Sequence, residues 1–233
     1  LRKGAFWHDG PAVTAHDVVY TVESVMNPEL GSPFRDPYQA HIERVEALSD
    51  TEVLFVLKAP YATFMTDLVL GIVPKHLCAP NGGRFPEGQY VGSGPFRFVQ
   101  RVGERRVDLE RNERAYGGVP YVKHLVFRVI RDEGTRLLSL MGGSGDLMQN
   151  GVSPVLSSVL SENEQLTLTT SPSVSFTYLA LNLRHDDLAD LRVRRALAYA
   201  IPRQRFVDSY LNGGGTLSTG MLAPLPSQWA YEP

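Results

Sequence analysis

The pattern of apolar residues changes between residues 116 and 120, and this change limits the folds open to the chain. Before it, apolar stretches come in close pairs joined by short polar turns: 42–48 with 53–57, and 96–102 with 105–110. Such pairs predict β-hairpins. After it, apolar runs of strand length alternate with helical periodicity, which is typical of an α/β arrangement. We therefore predict a mixed α/β fold with two subdomains, 1–118 and 119–233.

The first subdomain also carries a clear helix signal. Thr14 is a good N-cap, and Asp17 three positions later completes a capping box. Val18 and Val22 then begin an apolar face that continues through Val25 and Met26, and 27–28 (Asn-Pro) ends the helix. We expect a strand at 1–8, a loop at 31–37 and a short helix at 62–68.

In the second subdomain we expect strands at 125–130, 146–148, 166–170 and 176–183. The predicted helices are 135–141, one opened by Ser153 and Pro154, one capped by Asp190, and one after Pro202. The predicted inner faces of the last two comprise Val193, Leu197, Ala200 and Ile201, followed by Phe206, Val207 and Tyr210.

Net charge and hydropathy argue against two classes, the nucleic-acid-binding and the membrane-spanning proteins. With 43% hydrophobic residues and a formal net charge of −2, the chain has no long-range field to attract nucleic acid or anionic lipid. Its longest apolar run, 69–73, is too short to span a bilayer. The single cysteine, Cys78, excludes an intrachain disulfide, and we interpret it as a buried, inert thiol. Because the chain begins at Leu1 and ends at 231–233, we expect both ends to be cuts, with no signal peptide included.

Catalytic and metal-binding patterns are not found in the sequence. The six histidines are scattered, without the paired spacing that a zinc site needs. Ser93 and Ser144 have glycine neighbours at the wrong spacing for a nucleophile elbow, and the 92–94 turn precedes a strand instead of the helix that a phosphate loop requires. The aspartates at 186, 187 and 190 are interpreted as a solvated loop and a helix cap, and the arginines at 192, 194 and 195 as a solvated rim. We therefore predict no catalytic residues, no metal and no cofactor.

Several blocks together resemble family 5 of the bacterial extracellular solute-binding proteins, the dipeptide and oligopeptide receptors of ABC importers. The blocks are Leu1-Arg2-Lys3-Gly4, Trp7-His8-Asp9-Gly10, Val13-Thr14-Ala15-His16-Asp17-Val18-Val19-Tyr20, Gly92-Ser93-Gly94-Pro95-Phe96, Leu109-Glu110-Arg111-Asn112 with Tyr116-Gly117, Tyr178-Leu179-Ala180-Leu181-Asn182, and Val193-Arg194-Arg195-Ala196-Leu197-Ala198-Tyr199-Ala200-Ile201. They occur in the family's order and spacing across nearly the whole chain. Pro202 departs from the aspartate that the family usually has before Arg203.

The resemblance implies a fold and a function. The expected fold is the periplasmic binding protein-like type II fold, with 1–118 as the family's extra hairpin-rich subdomain and 119–233 as the core of one lobe, the second lobe being missing. The expected function is capture of a peptide or similar small solute for a membrane permease, by a monomer located in the periplasm or held as an extracellular lipoprotein. The ligand-binding residues it suggests are Arg35, Tyr38, Tyr178 and Asn182.

Two alternatives remain open from the sequence. The chain could be the solute-sensing domain of a transcriptional regulator, because some regulators carry a domain that resembles this family. It could also be an enzyme on the same scaffold, which would require a nucleophile and base that the sequence does not reveal.

Overall fold

A computed structural model describes residues 1–149, 152–171, 177–218 and 220. They divide into two compact units: unit 1, Leu1–Val129, and unit 2, from Ile130 onward. The helices of the described residues are α1 (Ala15–Met26), α2 (Arg35–His41), α3 (Phe64–Asp67), α4 (Lys75–Cys78), α5 (Glu133–Met141), α6 (Pro154–Ser161), α7 (Asp186–Ala189), α8 (Leu191–Ala200) and α9 (Arg203–Ser209). The strands are β1 (Ile42–Ala47), β2 (Val53–Leu57), β3 (Phe96–Val102), β4 (Arg106–Arg111) and β5 (His124–Arg128). None of the described helices has the length and hydropathy needed to cross a membrane.

Helix α1 forms where the sequence predicts it and begins at the predicted capping box. The Asp17 carboxylate accepts hydrogen bonds from the backbone N–H of Thr14 (2.8 Å) and from its hydroxyl (3.1 Å). Because residues three or four positions apart share a helix face, Val18 and Val22 are both buried. The predicted stop is also confirmed, since Asn27 is the C-cap.

A buried cluster of unit 1 lies where α1 and α2 pack against the β1–β2 hairpin. Val22, Tyr38, Ile42 and Val45 form it, and eight partly buried apolar side chains surround them. The predicted hairpin is confirmed, with β1 and β2 paired antiparallel. α2 is thus fixed to the core through Tyr38.

The second predicted hairpin is part of a three-stranded antiparallel sheet with the order β3-β4-β5. Phe98 lies opposite Leu109 and Gln100 lies opposite Asp108, so Val99 is an extra residue that forms a β-bulge in β3. Gly103, in the turn between β3 and β4, has a φ of 55°, a conformation that glycine adopts without steric cost.

Strand β5 extends the hairpin sheet beyond residue 119. It pairs with β4 and places Leu125 opposite Leu109. The compact unit therefore ends at Val129. The assignment of 1–118 to the family's extra subdomain and of 119–233 to the core of one lobe stays a prediction.

Two expectations for unit 1 are wrong. Residues 1–8 do not form a strand but make a single bridge, between Phe6 and Ala12, because the 9–11 turn reverses the chain at once. The predicted loop at 31–37 gives way to α2, which begins at Arg35 and contains Pro37. Proline is tolerated there because the first-turn N–H groups of a helix have no acceptor within the helix.

Unit 2 contains the predicted helices but not the predicted strands. α5, α6, α8 and α9 match the sequence expectation, and the Asp190 side chain accepts the backbone N–H of Arg192 (2.8 Å) at the start of α8. Residues 146–148, 166–170 and 177–183 form no strand, because no described segment pairs with their backbone. Phe176, the first residue of the last predicted strand, lies outside the described residues.

The prediction that one face of α8 is buried is also wrong. Val193, Leu197 and Ile201 are all exposed in the described structure. In α9 the prediction holds for Val207, which is buried, whereas Phe206 and Tyr210 stack on each other at a centroid distance of 4.8 Å and remain exposed.

Candidate functional site

The residues predicted to bind ligand fall into two groups. Arg35 and Tyr38 lie on α2 in unit 1, and Tyr178 and Asn182 lie in unit 2. The helix that holds the first pair was missed by the sequence interpretation, which placed both residues in or beside a loop.

Arg35 is held at the start of α2. Its Nε donates a hydrogen bond to the carbonyl oxygen of Met26 (3.3 Å), and its Nη1 lies 3.8 Å from the Asp36 carboxylate. About a third of the side chain (35%) is exposed. An exposed ion pair of this length contributes little to stability, so the guanidinium remains available to an anionic group.

Tyr38 is a core residue with its hydroxyl already engaged. It is 6% exposed and donates a hydrogen bond to the carbonyl oxygen of Asp67 (2.7 Å). Burial, with a smaller contribution from the Asp67 charge, raises the pKa of the Tyr38 phenol above its usual value. A ligand contact by Tyr38 stays a prediction, and it would need this part of α2 to open locally.

Asp67 is an acceptor for two tyrosines, which the sequence did not reveal. Its carboxylate accepts a hydrogen bond from the Tyr61 hydroxyl (2.6 Å), while its carbonyl accepts that of Tyr38. The Tyr61 ring stacks on His41 at a centroid distance of 3.8 Å and an interplanar angle of 9°. Asp67 therefore fixes the positions of α2 and of the 61–67 segment relative to each other. No spacing rule links residues 38, 61 and 67, so only the folded structure shows this contact.

In unit 2, the candidate residues differ in their surroundings. Tyr178 is 70% exposed. Asn182 closes a turn: its Oδ1 accepts the backbone N–H of Arg184 (3.1 Å), and its carbonyl accepts that of His185 (3.1 Å). This use of an asparagine side chain is an Asx-turn. Asn182 therefore has a structural task, whereas Tyr178 presents a ring at the surface.

A groove of about 440 Å³ lies beside this segment within unit 2. Leu179 and Leu181 form one side and α8 forms the other, with Arg195 among the lining residues. Arg194, also at the groove, is held by the carbonyl oxygens of Leu188 (2.9 Å) and Ala189 (2.8 Å). The volume is within the range of small-molecule sites. The expectation that the arginines form only a solvated rim is thus too simple, because two of the three line a groove.

A second hollow, also about 440 Å³, lies in unit 1 over the start of α1. It is lined by His16, Lys75 and His76 above the buried carboxylate of Asp17. His76 Nε2 lies 2.7 Å from Asp9 Oδ2, so this imidazole already has a carboxylate partner.

The glycine-rich turn at 92–95 is held by hydrogen bonds to the side chains of His8 and Asn112. The Gly92 N–H donates to His8 Nδ1 (3.3 Å), and His8 Nε2 lies 3.0 Å from the Gly94 carbonyl oxygen. Asn112 Nδ2 donates to the same carbonyl (3.1 Å). The turn therefore joins the start of the chain to the β3–β4 sheet. It has no helix behind it that could bind phosphate.

The described residues show no metal-binding cluster, and the single thiol of the chain is buried. Among them, no three histidine, cysteine, aspartate or glutamate side chains come close enough to hold a metal ion. Cys78 is buried, as predicted, and burial raises the pKa of its thiol. A thiol with a raised pKa is a poor nucleophile at neutral pH.

Comparison with known proteins gives one consistent result. The family model for bacterial extracellular solute-binding proteins, family 5 Middle, matches residues 1–233. Protein XP55 of Streptomyces lividans is 33% identical over 235 residues, covering all of this chain and 42% of that protein.

Solved structures agree with the sequence comparison. The oligopeptide-binding protein AppA from Bacillus subtilis, solved with a nonapeptide, is 27% identical, with a TM-score of 0.80 over 96% of this chain and 45% of AppA. NikZ from Campylobacter jejuni, solved with Ni(L-His), is 27% identical, with a TM-score of 0.78 over 91% of this chain and 43% of NikZ. The chain spans less than half the length of the curated relatives it matches.

Proposed function

The chain belongs to family 5 of the bacterial extracellular solute-binding proteins, and on this premise we propose that it forms part of the substrate-binding component of an ABC importer. In this role it captures peptides or a similar small solute and contributes to their delivery to the membrane permease. The observation that carries the proposal is the family match over residues 1–233. The predicted type II periplasmic binding protein fold agrees with the structural neighbours.

A peptide is the ligand class that the similar proteins favour. AppA was solved with a nonapeptide, and a dipeptide-binding protein of Escherichia coli is also among the relatives. NikZ, solved with Ni(L-His), makes a metal–amino acid complex the second ligand to test.

Each unit carries its own proposed ligand contacts. In unit 1, Arg35 supplies a partly exposed guanidinium for an anionic group, and Tyr38 is the second candidate, although its hydroxyl donates to the Asp67 carbonyl oxygen. In unit 2, Tyr178 supplies an exposed ring, and Asn182 is the second candidate, although its side chain closes a turn. The remaining contacts come from a lobe outside this chain, in keeping with the greater length of the relatives.

Binding, not catalysis, is the activity that these features support. The family is one of substrate-binding proteins. We place the protein outside the cytoplasm, in the periplasm or on the outer face of the membrane, as a monomer. The regulator alternative is not carried further, because the similar proteins named above whose names state a role are oligopeptide- and dipeptide-binding proteins.

The proposal is tested by calorimetry with a nonapeptide and with Ni(L-His) as probes. A protein of AppA length that contains this chain is expected to bind one of them, and the chain alone is expected to bind it at least about a hundredfold more weakly, since half of a two-walled site loses its enclosing contacts. Equal affinity of the two proteins would contradict the two-lobed site. Failure of the longer protein to bind either probe would contradict the proposed ligand classes.

A further inference from the structure

One side of the unit 2 groove has the side-chain pattern of a β-strand. Leu179 and Leu181 line the groove, whereas Tyr178, Ala180 and Asn182 are not among its lining residues. Because side chains of extended backbone alternate between two faces, this period of two indicates an extended segment. Its aliphatic residues are therefore on the face towards the groove.

Helix α8 supplies the other side of the groove with a helical pattern. Leu197 and Ile201, four positions apart, both line it. Val193, four positions before Leu197, continues the same stripe. Residues at this spacing share one helix face, and such an apolar stripe is the surface by which a helix packs onto a core. The groove thus lies between the apolar face of an extended segment and the apolar stripe of a helix.

The apolar side chains around the groove lack cover. Leu179 is 67% exposed, and Leu197 and Ile201 are 38% and 41% exposed. Residues of one continuous surface are exposed together here, which is typical of an interaction surface and not of scattered surface residues.

The backbone of the extended segment is open as well. In the described part of the chain, no backbone hydrogen bond joins residues 179–181 to another residue. An extended segment with unpaired N–H and C=O groups is a template for a second strand. The open groove and the open backbone edge are therefore adjacent.

A single strand would satisfy both features. Laid beside residues 179–181, it would take their backbone hydrogen bonds, and its alternate apolar side chains would fill the groove of about 440 Å³ against Leu197 and Ile201. The chain spans less than half the length of the curated relatives it matches, so a protein of that length contains enough further sequence to supply such a strand.

We propose that a strand from the rest of the longer protein pairs with residues 179–181 and closes the groove over α8. This rests on the proposed function, which makes the chain part of such a protein. A bound peptide is the other possible occupant. The apolar stripe favours the permanent strand, because Val193 is 39% exposed and lies outside the groove, where a ligand in the groove would leave it uncovered.

The first test is hydrogen exchange of the amides of residues 179–181, without solute, in this chain and in a protein of AppA length that contains it. At least one of the three amides is expected to exchange about a hundredfold more slowly in the longer protein, because a strand amide paired with a neighbour is protected. The Lys75 amide, bonded to Asp17 in unit 1, is the reference and is expected to change less than about threefold.

The second test is the variant Leu179→Asp, made in both proteins. In this chain the side chain is largely exposed, so the midpoint of thermal unfolding is expected to fall by less than about 2 °C. In the longer protein the carboxylate would enter a closed apolar groove, and the midpoint is expected to fall by at least about 5 °C. Leu48→Asp, which changes a leucine that is 62% exposed in unit 1, is the matched control and should affect both proteins alike.

The strand is ruled out if all three amides exchange equally fast in the two proteins. It is also ruled out if they slow only after a nonapeptide is added, which would identify the solute as the occupant, or if Leu179→Asp affects the longer protein no more than Leu48→Asp does. Exchange is measured on unchanged sequences, so the test holds even where the variant fails to fold. Slow exchange in a longer protein that binds neither calorimetric probe would contradict the proposed ligand classes and leave the strand in place.

Discussion

The carboxylate of Asp17 accepts a hydrogen bond from the backbone N–H of Lys75 at 2.9 Å, across 58 residues of sequence. The same buried side chain accepts bonds from Thr14 and, at 3.4 Å, from Trp7 Nε1. A residue expected to cap one helix therefore also joins the start of the chain and the α4 segment. Its partners among these contacts are all donors, as a buried carboxylate requires.

Replacing Asp17 is expected to destabilise unit 1. Asp17→Ala leaves several buried donors unsatisfied and should lower the free energy of unfolding by about 3 kcal/mol, and Asp17→Asn by about 1–2 kcal/mol because one acceptor oxygen remains. Urea unfolding followed by Trp7 fluorescence in a Trp229→Phe background measures this. Asp36→Ala is the control, since that side chain is 91% exposed. Equal stabilities of the Asp17 and Asp36 variants would show that the network contributes nothing.

Tyr38→Phe tests whether this residue belongs to the core or to the ligand site. Loss of the hydroxyl that bonds to Asp67 should cost about 1 kcal/mol of folding stability. Thermal and urea unfolding measure it, with Tyr61→Phe as the matched loss of the second tyrosine on Asp67. An unchanged stability together with weaker solute binding in the longer protein would instead make Tyr38 a ligand contact.

The raised pKa of the Tyr38 phenol predicts that the free energy of unfolding depends on pH in the alkaline range. Its pKa is raised in the folded protein above the ordinary value of 10.0, so folding favours the protonated form. The contribution is present in full below pH 10 and is lost as pH rises through the folded-state value. Unfolding free energies measured between pH 8 and pH 11 should fall less steeply in Tyr38→Phe than in the unchanged chain. Parallel slopes would contradict this linkage.

Asp190→Ala is expected to fray the start of α8. The side chain of Arg192, and then its backbone N–H, lower the pKa of Asp190 below 3.8. Because the pKa is lowered in the fold, the cap stabilises the helix above that pH and is lost as pH falls through the folded-state value. Hydrogen exchange of the Arg192 amide at neutral pH should accelerate about tenfold in the variant. Asp187→Ala, which removes an exposed carboxylate nearby, should leave that amide unchanged.

Tyr178→Ala is expected to weaken solute binding without loss of stability. The ring is largely exposed, so its removal should change the free energy of unfolding little. Loss of an aromatic contact at a binding site is expected to weaken affinity about tenfold. Calorimetry on the longer protein with a nonapeptide measures the effect. Tyr121→Ala, which removes an exposed ring from unit 1, is the control and should bind normally.

Local signals predicted the structure well where the contacts are local. The Thr14–Asp17 cap, the end of α1 at Asn27 and both hairpins of unit 1 depend on neighbours in sequence, and they are confirmed. α2 was missed because its proline-containing sequence has a weak helix signal and its stability comes from the burial of Tyr38. Tertiary packing of this kind overrides propensity.

The predicted strands of unit 2 failed for a different reason. A strand needs a neighbour for its backbone groups, and apolar residues such as Leu179 can satisfy the pattern without one. The family was predictable from the sequence blocks, whereas the four ligand-binding residues stay a prediction. The bond between Tyr61 and Asp67 depends on a contact that sequence spacing does not encode.

Val99 gives the β3–β4 hairpin one residue more on one side than on the other. Because Phe98 and Gln100 already face consecutive residues of β4, a chain without Val99 could keep every cross-strand partner. What that chain would lose is the bend. Val99 therefore fixes a bend in β3, although it has no cross-strand partner itself. This bend sets the direction of the end of the sheet at the β3–β4 turn.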